Sequence, residues 1–113
     1  MTVEVNAAGV ALMAVGPDRE RRTLLTACPE GMDFQASVHA GGWWAVTYTL
    51  PFALIEALFG RPLAPGAAMR GNFYKCDESI HPHFGSWNPV VAPAPDFHWP
   101  EYIGEMRLCD GIL

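Results

Sequence analysis

From Asp33 to Ala40 the chain alternates, with Phe34, Ala36, Val38 and Ala40 on one side and Asp33, Gln35, Ser37 and His39 on the other. A period of two is that of a β-strand with one wet face. After Gly41-Gly42 the alternation resumes, with Trp44, Val46, Tyr48 and Leu50 on one face and Trp43, Ala45, Thr47 and Thr49 on the other. Two such runs about a glycine pair predict a β-hairpin, the glycines supplying the positive φ that tight hairpin turns need. Trp43 and Trp44 face opposite ways, so one of them is expected in the core.

The period then changes. Phe52, Ile55, Leu58 and Phe59 recur at three- and four-residue spacing until Gly60 and Pro62. This predicts one short amphipathic helix with Pro51 as its first residue. Elsewhere ten Pro and eleven Gly cut the chain into short pieces, which favours strands joined by turns. Val3 to Val15 reads as one or two strands, and the charged run Asp18 to Arg22 as a solvated hairpin tip. Arg70 to Lys75 reads as a strand with Asn72 and Tyr74 on one side and Phe73 on the other. Phe84 to Val90 is its expected neighbour, and Ile103 to Leu108 the last strand. The expected fold is all-β, an antiparallel sandwich of jelly-roll type with one short helix, forming a single domain over residues 1–113.

Half of the 113 residues are apolar and 17% are charged, a composition that folds around a core. The net charge is −5 and the seven Lys and Arg are scattered, so there is no basic stripe for nucleic acid. Ala7 to Val15 is the longest apolar run, too short for the roughly twenty residues a membrane-spanning helix needs. It follows Glu4 with no Lys or Arg before it, unlike a secretory signal, and reads better as a buried strand. Neither a cytoplasmic location nor origin as a domain cut from a longer secreted protein is favoured. Cys28, Cys76 and Cys109 are odd in number and widely spaced, which predicts free, mostly buried thiols rather than a disulfide framework or a zinc ribbon.

The C-terminal third carries the chemistry: Gly71-Asn-Phe-Tyr-Lys75, Phe84-Gly-Ser-Trp-Asn-Pro89 and Asp96-Phe-His-Trp-Pro-Glu-Tyr-Ile-Gly104. This succession resembles the end of family-9-like carbohydrate-binding domains, in which an Asn-Phe-Tyr-Lys/Arg strand, a Ser-Trp strand and a His-x-Pro-Glu-aromatic-x-Gly turn lead into the last strand. Upstream, Trp44-Ala-Val-Thr-Tyr-Thr-Leu-Pro-Phe52 is similar to the family's preceding strand and turn. The resemblance is strong from Gly42 onward and faint before it. It implies a β-sandwich that recognises saccharides without catalysis, its ligand held between two Trp side chains of which Trp87 is similar to the C-terminal one. Complete family members are longer at the N-terminal end. A shortened sandwich leaves adhesive sheet edges, so a homodimer is expected.

Sugar recognition needs a flat apolar surface for the C–H face of a pyranose and planar polar groups for its hydroxyls. Trp87 offers the first; Asn88, Arg70, Asn72, Lys75 and Glu78 offer the second. The same region has other readings. His81, His83 and His98, with Cys76, Asp77 and Glu78 near the first two, contain donors for a transition metal in a cupin-like enzyme. The cupin signature's Glu is missing, however, where Phe84-Gly-Ser-Trp87 follows. Asp77 and Glu78 could supply oxygens to calcium, which is known in relatives of the implied fold. Ser86 has no nucleophile elbow around it, and Asp96 and Glu101 would have to meet across a cleft to hydrolyse a glycoside. The expectation is therefore a non-catalytic saccharide binder, with a metal-dependent enzyme and a non-binding assembly module as rivals.

Overall fold

A computed structural model describes residues 1–94 and 96–110. The chain divides into two compact units, Met1–Leu63 and Ala64–Leu113. All pairing among the described strands is antiparallel. Among the described residues a single α-helix stands beside nine strands, and the all-β class expected from the sequence holds.

The first unit opens with a three-stranded sheet, β1 (Thr2–Val5), β2 (Ala11–Val15) and β3 (Thr23–Leu24). The apolar run from Ala7 to Val15 is not one buried strand. The Asn6 side-chain oxygen accepts from the backbone N–H groups of Ala8 and Val10, both at 3.0 Å, and this Asx-type turn competes with strand geometry. Only Ala11 onward joins the ladder, and there Met13 and Ala14 are buried. The charged loop after β2 is held by Asp18, whose carboxylate takes the Arg21 guanidinium and the Arg21 backbone N–H.

The predicted hairpin is present as β4 (Phe34–His39) and β5 (Trp43–Tyr48), with Phe34 opposite Tyr48 and His39 opposite Trp43. Gly42 turns it at φ 79°. The expectation that one of the Trp pair is core fails, because both are exposed. They sit at the tip of a two-stranded ribbon, where Trp43 stacks on His39, ring centroids 3.6 Å apart.

The helix α1 (Phe52–Phe59) follows. Pro51 has ψ 132° and is the residue before the helix rather than its first turn; Gly60 ends it in the left-handed region at φ 66°. Ile55 is its buried anchor, and the Glu56 carboxylate accepts from the Leu63 N–H at 2.7 Å.

The second unit departs most from expectation. Residues 70–75 are not one strand but the end of β6 (Ala68–Gly71) and the start of β7 (Tyr74–Asp77), which belong to different sheets. β6 pairs with β9 (Gly104–Arg107), and β7 pairs with β8 (His83–Ser86). The break falls at Asn72, whose side chain takes hydrogen bonds that a continuous ladder would have used. Packing beneath β7 and β8 is aromatic: Phe97 stacks on Tyr74, centroids 4.4 Å apart, and meets Phe84 at 6.2 Å. The three cysteines are free as expected but exposed, not buried. Among the described residues, no helix is long and apolar enough to cross a membrane.

Candidate functional site

The β7–β8 ribbon sorts its side chains strictly. Tyr74 and Phe84 turn to Phe97 on one face, so period two places Lys75, Asp77, His83 and Gly85 on the other. The ladder runs one step past β8, where the Trp87 N–H donates to the Phe73 carbonyl at 2.9 Å. Phe73 and Trp87 thus join the second face, edge to face with centroids 6.0 Å apart and planes at 67°. Trp87 retains 54% of its surface exposed. A β-carbon built on Gly104 would lie 2.9 Å from the Trp87 Cζ3, so the indole edge occupies the place where a side chain of β9 would stand. That close approach is why the motif ends in glycine.

Behind the ring lies a polar junction. Asn72 Oδ1 accepts from the N–H groups of Phe73 (2.9 Å) and Asn88 (2.8 Å), while Nδ2 donates to the carbonyls of Asn88 (2.9 Å) and Tyr102 (3.0 Å). Both donors and both lone pairs of this amide are therefore used. Asn88 Nδ2 donates to the Tyr102 carbonyl at 2.9 Å. Arg70 Nη2 donates to Pro100 O and Ile103 O at 3.1 and 2.9 Å. These three residues, predicted as hydroxyl partners of a sugar, clamp the 3₁₀ turn Pro100–Tyr102 against the strand ends. The same turn is braced by Asp96, which accepts the His98 N–H and the Trp99 indole N–H, and by the Tyr102 hydroxyl donating to Val91 O at 2.6 Å. Trp99 thus packs the turn while staying partly exposed.

Hydrogen bonds to the His98 backbone N–H, then to the Trp99 indole, hold the Asp96 carboxyl below its ordinary pKa. A carboxyl lowered in the folded state stabilises the fold above its unfolded value of about 3.9, and that contribution fades as pH falls through the lower folded value. Stability is therefore expected to drop on acidification below about pH 4. In Asp96→Asn the acid limb of a denaturation-versus-pH curve should be shallower than in wild type; an unchanged slope would refute the role. Asp77 is lowered as well, chiefly by Ser79 and then by Lys75, so Asp77→Asn is the parallel variant.

At the far end of the same ribbon face, Lys75 Nζ lies 3.0 Å from Asp77 Oδ2 and donates to His83 Nε2, while His83 Nδ1 faces the His81 carbonyl at 2.9 Å. Glu78 follows β7, exposed, about 16 Å of strand from Trp87. The structure therefore groups Trp87 with Asn88, Asn72 and Arg70, puts Lys75 farther along the face, and leaves Glu78 apart. His83 engages Lys75 and His81, and His98 lies 3.5 Å from Asp96. Among the described residues, no three His, Cys, Asp or Glu side chains converge as a metal ion would need. Phe73, Gly85 and Gly104 were not singled out by sequence reasoning; the glycine that ends the His-x-Pro-Glu motif was a legible signal.

The family model for carbohydrate-binding family 9 matches residues 1–108. The chain belongs to carbohydrate-binding family 9. The match reaches the N-terminal residues, where motifs are faint by eye, and runs through both units of this family 9 chain. No curated protein and no solved structure matches it significantly.

Proposed function

We propose that this family 9 protein is a non-catalytic binder of saccharides, with Trp87 as the surface on which a pyranose ring stacks and the side-chain oxygen of Asn88, whose Nδ2 is taken by the Tyr102 carbonyl, as a hydroxyl partner. The observation that carries this reading is the half-exposed indole, buttressed by Phe73 on one side and the Gly104 backbone on the other. A flat apolar ring fixed before the ligand arrives loses little freedom on binding. Arg70 and Asn72 act behind it, by holding the turn that leads into Gly104, against which the ring leans. Affinity is modest, because each sugar hydroxyl exchanges a water partner for a protein one at small net gain. The test is intrinsic fluorescence during titration with glucose, galactose, mannose, xylose, N-acetylglucosamine and their linear oligomers. One of them shifts the tryptophan emission saturably; silence across the panel refutes the reading.

The protein also pairs with a second copy of itself in this proposal. Six of its strands lie in two-stranded sheets and have one ladder partner each among the described residues, and open edges recruit further strands. Light scattering should return twice the chain mass, and a monomer at micromolar concentration would refute it.

A further inference from the structure

The outer edge of β8 carries unpaired backbone, and a groove runs along it on the face away from Trp87. Because the Trp87 N–H donates to the Phe73 carbonyl, those two residues are a hydrogen-bonded pair of the ladder, and such pairs alternate in an antiparallel ribbon. Lys75 with Gly85 and Asp77 with His83 are then bonded pairs too, so the N–H and C=O groups of Phe84 and Ser86 point away from β7. None of those groups has a hydrogen-bond partner among the described residues. The two residues lie about 7 Å apart along the strand, the repeat that an added strand would match. The groove beside them has a volume of about 330 Å³ and an apolar wall that includes Phe84, Phe97, Val90 and Pro93. Gly85 lines it with bare backbone, so the groove reaches the strand edge. Of the lining residues only Asp96 is charged. Its Oδ1 accepts from the His98 N–H at 3.0 Å and its Oδ2 from the Trp99 indole at 2.9 Å, which leaves each oxygen a lone pair. The first bond above all holds the carboxyl below its ordinary pKa, so it is an anion at neutral pH.

We propose that this groove receives an extended peptide segment of a partner protein as a third strand beside β8, with an apolar residue packed on Phe84 and Phe97 and a neighbouring Lys or Arg meeting Asp96. Unpaired donors and acceptors at strand spacing suit a peptide backbone, the bonds giving affinity and the pockets between them giving selectivity. A wall mostly of hydrocarbon would cost a saccharide's hydroxyls their water without returning partners. The lone carboxylate selects a cationic neighbour by charge complementarity. A second copy pairing its own β8 antiparallel here would bring its own Pro93 and Phe97 onto the same face, whereas the groove's volume suits one short segment. Peptide docking leaves Trp87, on the opposite face of the ribbon, free for a sugar, so the two bindings stand or fall separately.

The experiment is titration of the isotope-labelled full chain, followed by nuclear magnetic resonance, with acetylated and amidated hexapeptides of alternating Thr and Val that carry Lys, or Glu, at each position in turn. The Phe84 and Ser86 amide signals should shift saturably with a Lys-bearing member, which should bind about fivefold tighter than its Glu counterpart. N-methylating one alternate set of that peptide's backbone nitrogens should weaken it by about tenfold, and methylating the other set should not, because only one set faces β8. Ser86→Pro should weaken the unmodified peptide in the same way, since the N–H it removes points outward and the pairing with β7 stays. If that variant does not fold, the two methylated sets decide. Silence across the library, equal effects of the two methylated sets, or no preference for Lys over Glu overturns the peptide site. Shifts of the same amides with protein concentration alone would give the edge to a second copy, and overturn it as well.

Discussion

Trp87→Ala is expected to weaken saccharide binding by roughly thirtyfold or more, about 2 kcal/mol, while the protein still folds. Central aromatic anchors carry binding energies of this order because truncation removes the whole contact surface at once. The fold should survive because the indole is already half exposed. Its loss removes an edge-to-face contact with Phe73 and leaves a shallow gap above Gly104, a cost of about 1 kcal/mol. Trp87→Phe should retain part of the affinity, since a smaller flat ring remains. Calorimetry with the best panel sugar, beside circular dichroism, makes the comparison. An alanine variant that binds like wild type would remove Trp87 from the site.

Asn72→Ala should be the most destabilising single change in the second unit, about 3 kcal/mol, measured as a shift of the urea midpoint at constant slope. One side chain there satisfies two backbone N–H groups and two carbonyls from three segments of chain. Removing it strands several polar groups together, and unsatisfied partners cost more than a hydrogen bond nominally contributes. Asn88→Ala sets the scale. It deletes one bond, to Tyr102 O, and leaves the Asn88 backbone bonds to Asn72 in place, so about 1 kcal/mol is expected. Equal effects of the two substitutions would show that Asn72 is not the junction. Because the junction supports the turn that leads into β9, whose Gly104 faces Trp87, Asn72→Ala should also weaken sugar binding without touching the sugar.

The alanine variants of Trp87 and Asn72 separate a residue that meets the ligand from one that positions others, a distinction the sequence could not draw for Arg70, Asn72 and Asn88. Each carries planar donors suited to hydroxyls, and nothing local reveals that backbone carbonyls of residues 100–103 will take them. Those carbonyls lie about thirty positions downstream of Arg70 and Asn72. The same non-local demand breaks the strand read from Arg70 to Lys75, since alternation reports which face a residue takes but not which partner its strand will choose. The hairpin from Phe34 to Tyr48 was legible because its partner strand is the next segment of chain and its turn carries glycine. The helix was legible because three- and four-residue spacing ends at Gly60.

The amino-acid order alone determined the strand-rich class, the hairpin, the helix and family 9 membership, since each rests on periodicity, turn chemistry or a contiguous motif. Tertiary structure decided that Asn72 closes a junction, that both Trp43 and Trp44 stay exposed, and that Trp87 leans on Gly104 while Gly85 stays bare. Those outcomes depend on contacts between residues distant in the chain, whose hydrogen bonds and close approaches exist only once the segments have met.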